Sequence, residues 1–324
     1  MRPFAYSRPA SVDEALALLD EDARLLAGGT DLLTLMKHDL ATPGHLIDIK
    51  RLPDLDAEIT ERDGAIRIGA LATLTQLETH PLIERHLPAL AEAAALAATP
   101  QLRNMATLGG NVLQRPRCWY FRSEHVHCWL QGGDECYARE GDNRYHALFG
   151  GSPCVAAHPS DLATVLVAYG ATIHYRREDA VETVASADFF REPTEARRLE
   201  HALPPRAVIT GITVPVPRAG VRSRYVKAMD RKVWAFALAG AAVVLDVDDA
   251  GMVRDARVVL SGVATVPWRV PTAEQVLIGS EATDERFGQA AQAAVAGARP
   301  LAHNGYKVPL VRSLVHRALA EAMA

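Results

Sequence analysis

The sequence has no cysteine outside one stretch: Cys118, Cys128, Cys136 and Cys154 fall within 37 consecutive residues, and the other 287 carry none. Thiols so concentrated exclude the disulfide framework of a secreted scaffold, whose bridges are spread over the fold. The Cys-x2-4-Cys knuckles of structural zinc are missing too, because the spacing is Cys-x9-Cys-x7-Cys-x17-Cys. An iron–sulfur cluster therefore ranks ahead of zinc. No run approaches the roughly 18 apolar residues of a membrane span. The start, MRPFAYSRPASVDEALALL, lacks the apolar core and small-residue cleavage site of a secretory signal, so the chain by itself is expected to stay in the cytoplasm. Neither sign of charge dominates: a formal charge of −4 and a pI near 6.3 give no footprint for nucleic acid or an anionic membrane. There is no Gly-x-Gly-x-x-Gly fingerprint, internal repeat or low-complexity tract.

What is present is an ordinary globular chain of 324 residues with 49% hydrophobic content, enough for two or so domains. Ser11-Val-Asp-Glu14 reads as a capping box opening a helix over 12–19, followed by a buried strand at 24–27 that Gly28-Gly29 breaks. A helix over 31–38 and a strand over 45–49 complete a compact α/β unit. Residues 65–70 alternate as a strand, Thr73-Leu-Thr-Gln76 is a second capping box, and the alanine-rich stretch 87–98 reads as a helix. Two α/β lobes thus precede residue 111. Periodicity then vanishes from 112 to about 156, a length uncommon for a loop unless something functional ties it down. A helix from Ser160-Asp161 to about 168 and strands at 171–175 and 208–214 follow. Pro215-Val-Pro217 marks a domain boundary. Beyond it come strands at 224–229, 239–247 and 253–263, the last two joined by an Asp248–Gly251 turn, and helices at about 272–278, 283–296 and 306–323.

Two glycine elements carry chemistry. Leu26-Ala27-Gly28-Gly29-Thr30-Asp31-Leu32-Leu33 sits between a strand and a helix, where bare backbone N–H groups can hold a pyrophosphate; a plain tight turn reads the same residues equally well. Arg103-Asn-Met-Ala-Thr-Leu-Gly-Gly-Asn111 repeats the mixture of hydroxyl, amide and bare backbone, so that two loops would grip a diphosphate cofactor from two sides. Asp161, after His158-Pro-Ser, is either a carboxylate for cofactor hydroxyls or a helix-start acid. His125, His127, His146 and His158 offer a mixed Cys/His zinc site as a lesser alternative. Gln114, Trp119 and Tyr120 either lie between two redox groups or pack the loop. Arg103, Arg115, Arg117 and Arg122 either neutralise phosphates, face a partner, or form a solvated face.

Together AGGTDLL, TLGGN, HPSDL, YVKAMDR and SGVATVPWR resemble the FAD-binding subunit of the xanthine dehydrogenase family of molybdenum hydroxylases, over essentially the whole chain. The stretch NVLQRPRCWYFR through CVAAHPSD resembles the branch with an extra 4Fe-4S cluster, typified by bacterial periplasmic aldehyde oxidoreductases and, more distantly, 4-hydroxybenzoyl-CoA reductase. The resemblance implies an α+β protein: a PCMH-type FAD domain of two α/β subdomains over 1–217, with the cluster loop inserted at about 112–156, and a carbon monoxide dehydrogenase flavoprotein-type domain over 218–324. Residues 26–33 would bind the FAD diphosphate, with Thr107, Gly110 and Asn111 as second clamp, Asp161 near the ribityl hydroxyls, Lys227 beside the flavin ring, and the four cysteines as cluster ligands. Relatives commonly have Asn-Lys-Arg where this chain has Trp129-Leu-Gln131, and the loop carries Asp134 and Glu135, differences that bear on the cluster's potential. The implied partners are a 2Fe-2S small subunit, a large subunit holding the molybdenum cofactor, and an external electron acceptor. No motif supplies substrate chemistry, so no catalytic residue is assigned. The resemblance implies that a folded complex of this branch can be exported on a partner's signal, which keeps the periplasm open as a location. The alternatives are a 4-hydroxybenzoyl-CoA reductase-like subunit, a stand-alone FAD oxidase with structural zinc, and a metal-binding assembly subunit.

Overall fold

Twelve short strands assort into three sheets in the computed structural model, which describes residues 1–324. The first is parallel, with β1 (Ala5–Ser7), β2 (Ala23–Leu26) and β3 (His45–Asp48) in the order β1-β3-β2. The second is antiparallel, formed by β4 (Ile59–Arg62), β5 (Ala65–Gly69), β6 (Thr172–Arg177), β7 (Ala180–Ala185) and β8 (Ala207–Pro215), in the order β4-β5-β8-β6-β7. The third, also antiparallel, runs β12-β11-β10-β9, with β9 Val221–Ala228, β10 Ala239–Val247, β11 Val253–Ser261 and β12 Trp268–Arg269. The mixed helix and sheet content is the α+β class expected.

Local rules account for the elements. Alternation buries Ile66 and Ile68 of β5 and leaves Ala65 and Arg67 half exposed. Thr73 and Gln76 make the reciprocal capping box that starts the helix Leu74–Thr79. At Ser11 only half of that device forms: its side chain accepts from the Glu14 N–H, whereas the Glu14 carboxylate accepts from Ala10 N instead of Ser11 N. The helix Asp161–Ala168 is buried along its entire length, as a segment apolar on every side must be. It packs on the helix Pro88–Ala95 and on β10 and β11, and so touches both halves of the chain.

The stretch 113–156 is irregular apart from one 3-10 turn at Trp129–Gln131. It is held by hydrogen bonds to regular structure on both sides. Leu148 and Phe149 donate to the Val263 carbonyl, and Asn304 and Lys307, both fully buried, bond the carbonyls of His146 and Ala147. Lys307 Nζ donates also to the carbonyls of Tyr145 and Gly262. A loop placed by sequence in the first domain thus makes much of its backbone pairing with the second.

Beside this loop two imidazoles are buried neutral. His158 stands edge-on to Phe190, and His201 stacks on Phe189. Burial pushes His158 down to about 3 and His201 down to about 4. Both groups bind a proton more readily in the unfolded chain, whose imidazoles titrate near 6.5, so stability rises with pH between those values and is lost as pH falls below 6.5. Each contributes at most roughly 1.4 kcal/mol per pH unit. Urea unfolding at pH 7.5 and pH 5.5 should show a lower midpoint in acid; equal midpoints would contradict buried neutral imidazoles.

Candidate functional site

β2 ends at Leu26, and the chain turns through Ala27–Asp31 into the short helix Leu32–Lys37. Two glycines make that turn possible for different reasons. Gly29 has φ +71°, and a Cβ on Gly28 would lie 1.9 Å from the Met105 carbonyl oxygen. The first glycine element is therefore packed directly against the second. The consecutive N–H groups from Ala27 to Leu32 have no hydrogen-bond partner in the chain. Half-exposed backbone donors in such a row are a concavity for anionic oxygen, and they fit a diphosphate.

The second element is built differently. Thr107 is the N-cap of the helix Leu108–Val112, its hydroxyl accepting from Gly110 N, while Leu108 and Gly109 donate to the carbonyls of Ala72 and Ala70. Most of its backbone is thus engaged within the fold. Gly110 is exposed, and the Asn111 side-chain carbonyl accepts from the Ser160 hydroxyl at 2.5 Å, leaving the Asn111 amide N–H groups without a partner. Arg103, also in this element, is paired with Glu78.

Asp161 and Lys227, expected on a cofactor, are each other's partners here: Nζ lies 2.8 Å from Oδ2, with the two side chains 1% and 5% exposed. Lys227 donates also to the Leu96 carbonyl. Tyr225, two residues earlier on the same face of β9, donates to Asp161 Oδ1 at 2.5 Å and meets the Ser261 hydroxyl. Burial and the Asp161 charge push its phenol far up, so it stays a hydrogen-bond donor. Sequence reading overlooked Tyr225, although its two-residue spacing from Lys227 was the available signal.

Asp31 faces the cysteine loop. Its carboxylate accepts from Arg117, from Arg122 at 2.8 Å and from the Arg115 N–H at 2.9 Å, and despite burial the two guanidiniums hold it below the usual carboxylate range. Arg117 also bonds Gln114 and lies over the Phe236 ring. These arginines therefore tie the loop to the first glycine element instead of forming a solvated face. Trp119 and Tyr120 pack edge-on against each other and around His146.

The four cysteines come together as free thiols. Cys128 and Cys154 are buried in a small cluster with Leu35, Phe121, Trp129, Leu130 and Ala156, and Cys118 and Cys136 pack against it. Backbone donors meet two of the sulfurs: the Ala156 N–H lies 3.4 Å from Cys154 Sγ, and the Gln131 N–H caps the Cys128 side chain. Burial pushes the Cys118 thiol up to about 12 and raises Cys128. A hydrogen bond from Cys154 lowers Cys136 to about 6 and holds Cys154 well above the usual thiol range, so this pair shares one proton. Of the four histidines considered for zinc, only His146 reaches a cysteine, with Nε2 3.1 Å from Cys118 Sγ. His125 and His127 are exposed, and His158 accepts from Ser160 N. No three His, Cys, Asp or Glu side chains converge closely enough to hold a single metal ion. A cubane, in which each thiolate takes a different iron, does not require that convergence, and four cysteines gathered in one cluster match its ligand set.

The chain matches two family models, the FAD binding domain in molybdopterin dehydrogenase over residues 2–217 and the CO dehydrogenase flavoprotein C-terminal domain over residues 224–322. It is 38% identical to the aldehyde oxidoreductase FAD-binding subunit PaoB of Escherichia coli (strain K12), covering 100% of this chain and 99% of the relative. Identity to the carbon monoxide dehydrogenase medium chain of Hydrogenophaga pseudoflava is 33%, over 99% of this chain and 97% of that one. A solved carbon monoxide dehydrogenase from the same organism superposes with a TM-score of 0.79 at 32% identity, over 99% of this chain and 98% of that one. With both family models matched in sequence order and the likeness running end to end, this chain belongs to the FAD-binding subunits of the xanthine dehydrogenase family of molybdenum hydroxylases.

Proposed function

We propose that this chain is the FAD and 4Fe-4S electron-transfer subunit of a molybdenum-containing aldehyde oxidoreductase. In this reading it takes electrons from a 2Fe-2S small subunit, substrate is oxidised in a large subunit holding the molybdenum cofactor, and an external acceptor is reduced. The observation that carries the reading is the gathering of four buried or half-buried cysteines in a loop whose arginines grip Asp31 of the glycine element. The end-to-end similarity to an aldehyde oxidoreductase subunit supports the choice of complex. When bound, FAD exchanges either one or two electrons, and a cubane exchanges one. The chain's own residues supply the rest. The unpartnered N–H groups of Ala27–Leu32 would hold the diphosphate, the free Asn111 side-chain amide would add a donor, and Lys227, paired with Asp161, would be the cation nearest the ring. Export on a partner's signal belongs to the same proposal.

Anaerobic purification tests it directly. Iron and acid-labile sulfide in equal amount, with FAD bound, are expected; zinc without sulfide would remove the cluster, and no flavin uptake under saturating FAD would remove the larger claim. Asp31→Ala strips the carboxylate from two guanidiniums and one N–H and should cost about 3 kcal/mol of stability. It should also lower the iron retained per chain, both readable by urea unfolding and metal analysis; unchanged iron would show that the loop does not depend on this anchor. Lys227→Met leaves Asp161 buried with only Tyr225 as partner, and stability should fall by roughly 3–5 kcal/mol, with weaker flavin retention. The Lys227→Met, Asp161→Leu double variant should recover much of that stability without recovering flavin affinity.

A further inference from the structure

His146 is 2% exposed, and the only polar atom its ring meets is the Cys118 sulfur, 3.1 Å from Nε2. The other ring nitrogen, Nδ1, is buried with no partner. These two facts choose the tautomer. A proton on Nδ1 would be an orphaned buried donor and would turn the Nε2 lone pair toward a sulfur rich in lone pairs; a proton on Nε2 leaves only an idle acceptor. The ring is also fixed in place. Trp119 and Tyr120 pack on it, the backbone N–H of His146 donates to the Asn143 carbonyl, and the backbone carbonyl of His146 accepts from Asn304 and Lys307 of the second domain. Cys118 is thereby the one sulfur that meets a side-chain donor from outside the cysteine set.

We infer that His146 is a positioning and tuning residue that donates Nε2–H to the Cys118 thiolate and thereby raises the reduction potential of the cluster held by the four cysteines. The inference rests on the reading of these cysteines as cluster ligands. A hydrogen bond to a ligand sulfur withdraws charge from it and favours the reduced, more negative state. Because the donor is held by Asn304 and Lys307, the second domain sets the potential of a group bound mainly by the first.

The test compares the native chain with His146→Leu and His146→Gln, purified anaerobically, by iron and sulfide analysis and a redox titration followed by electron paramagnetic resonance. Full iron with a lower potential in His146→Leu, partly restored in His146→Gln whose amide can still donate, is the expected result. An unchanged potential in a fully loaded His146→Leu would overturn the inference while leaving the cluster in place; native protein lacking iron and sulfide would instead overturn the underlying reading. Should neither variant fold, native protein labelled with 15N-histidine keeps the question open to measurement. The reduced cluster should show a weak electron spin-echo modulation from one histidine nitrogen, and either none or a coupling of ligand strength would count against a hydrogen bond.

Discussion

One buried ion pair constrains everything around it. Asp161 opens the fully buried helix 161–168, and Lys227 lies on β9 of the second domain, so their 2.8 Å contact fixes how the two halves of the chain meet. Burying two charges carries a desolvation penalty of several kcal/mol per ion, which only good geometry and further hydrogen bonds offset. Those bonds are present: Tyr225 satisfies the second carboxylate oxygen and the Leu96 carbonyl takes another ammonium proton. An apolar pair of similar volume would hold the domains as well. What the charges add is direction: only one approach of the two halves brings the ammonium, the carboxylate and the Tyr225 hydroxyl into register.

From this seam the cysteine loop is held by three separate parts of the structure. Asp31 takes Arg115, Arg117 and Arg122 at its start, Arg198 bonds the Trp129 and Gly133 carbonyls in its middle, and Asn304 and Lys307 take the carbonyls near its end. A segment without helix or strand has no ladder to satisfy its backbone, so buried carbonyls must find side-chain donors, and long basic side chains supply them. The four sulfurs are positioned by contacts to both domains.

Much of this was legible in the sequence, and the illegible part has one physical cause. The strands β5, β10 and β11, the helix from Asp161 and the Thr73 cap follow from period and capping chemistry, which are local. The edge strands β1, β4 and β7 were not read, because three to six half-exposed residues carry no clear alternation. The Gly28-Gly29 and Thr107–Asn111 elements stood out by composition, yet their closeness was invisible until the Met105 carbonyl was seen against Gly28. Likewise Asp161 and Lys227 are 66 positions apart, and nothing in either neighbourhood announces that they pair with each other. Local chemistry is written in a single sequence; the meeting of distant charges is not.

The arginines show what this implies for the site. Arg115 Nε, Arg117 Nε and Arg122 Nη1 are buried without a hydrogen bond, although Arg115 lies 3.1 Å from Glu200 and the other two share Asp31. Burial raises the Glu200 carboxyl above its usual range, which weakens it as the counterion of Arg115, while Asp31 alone faces the guanidiniums of Arg117 and Arg122. A folded chain does not normally keep such an excess of desolvated positive charge without compensation. On the function proposed above, that compensation would be anionic on either side of Asp31: phosphate oxygens at the unpartnered N–H groups of Ala27–Leu32, and the cysteines as cluster thiolates. The arginines thus make the glycine element and the cysteine loop one electrostatic unit, joined at Asp31.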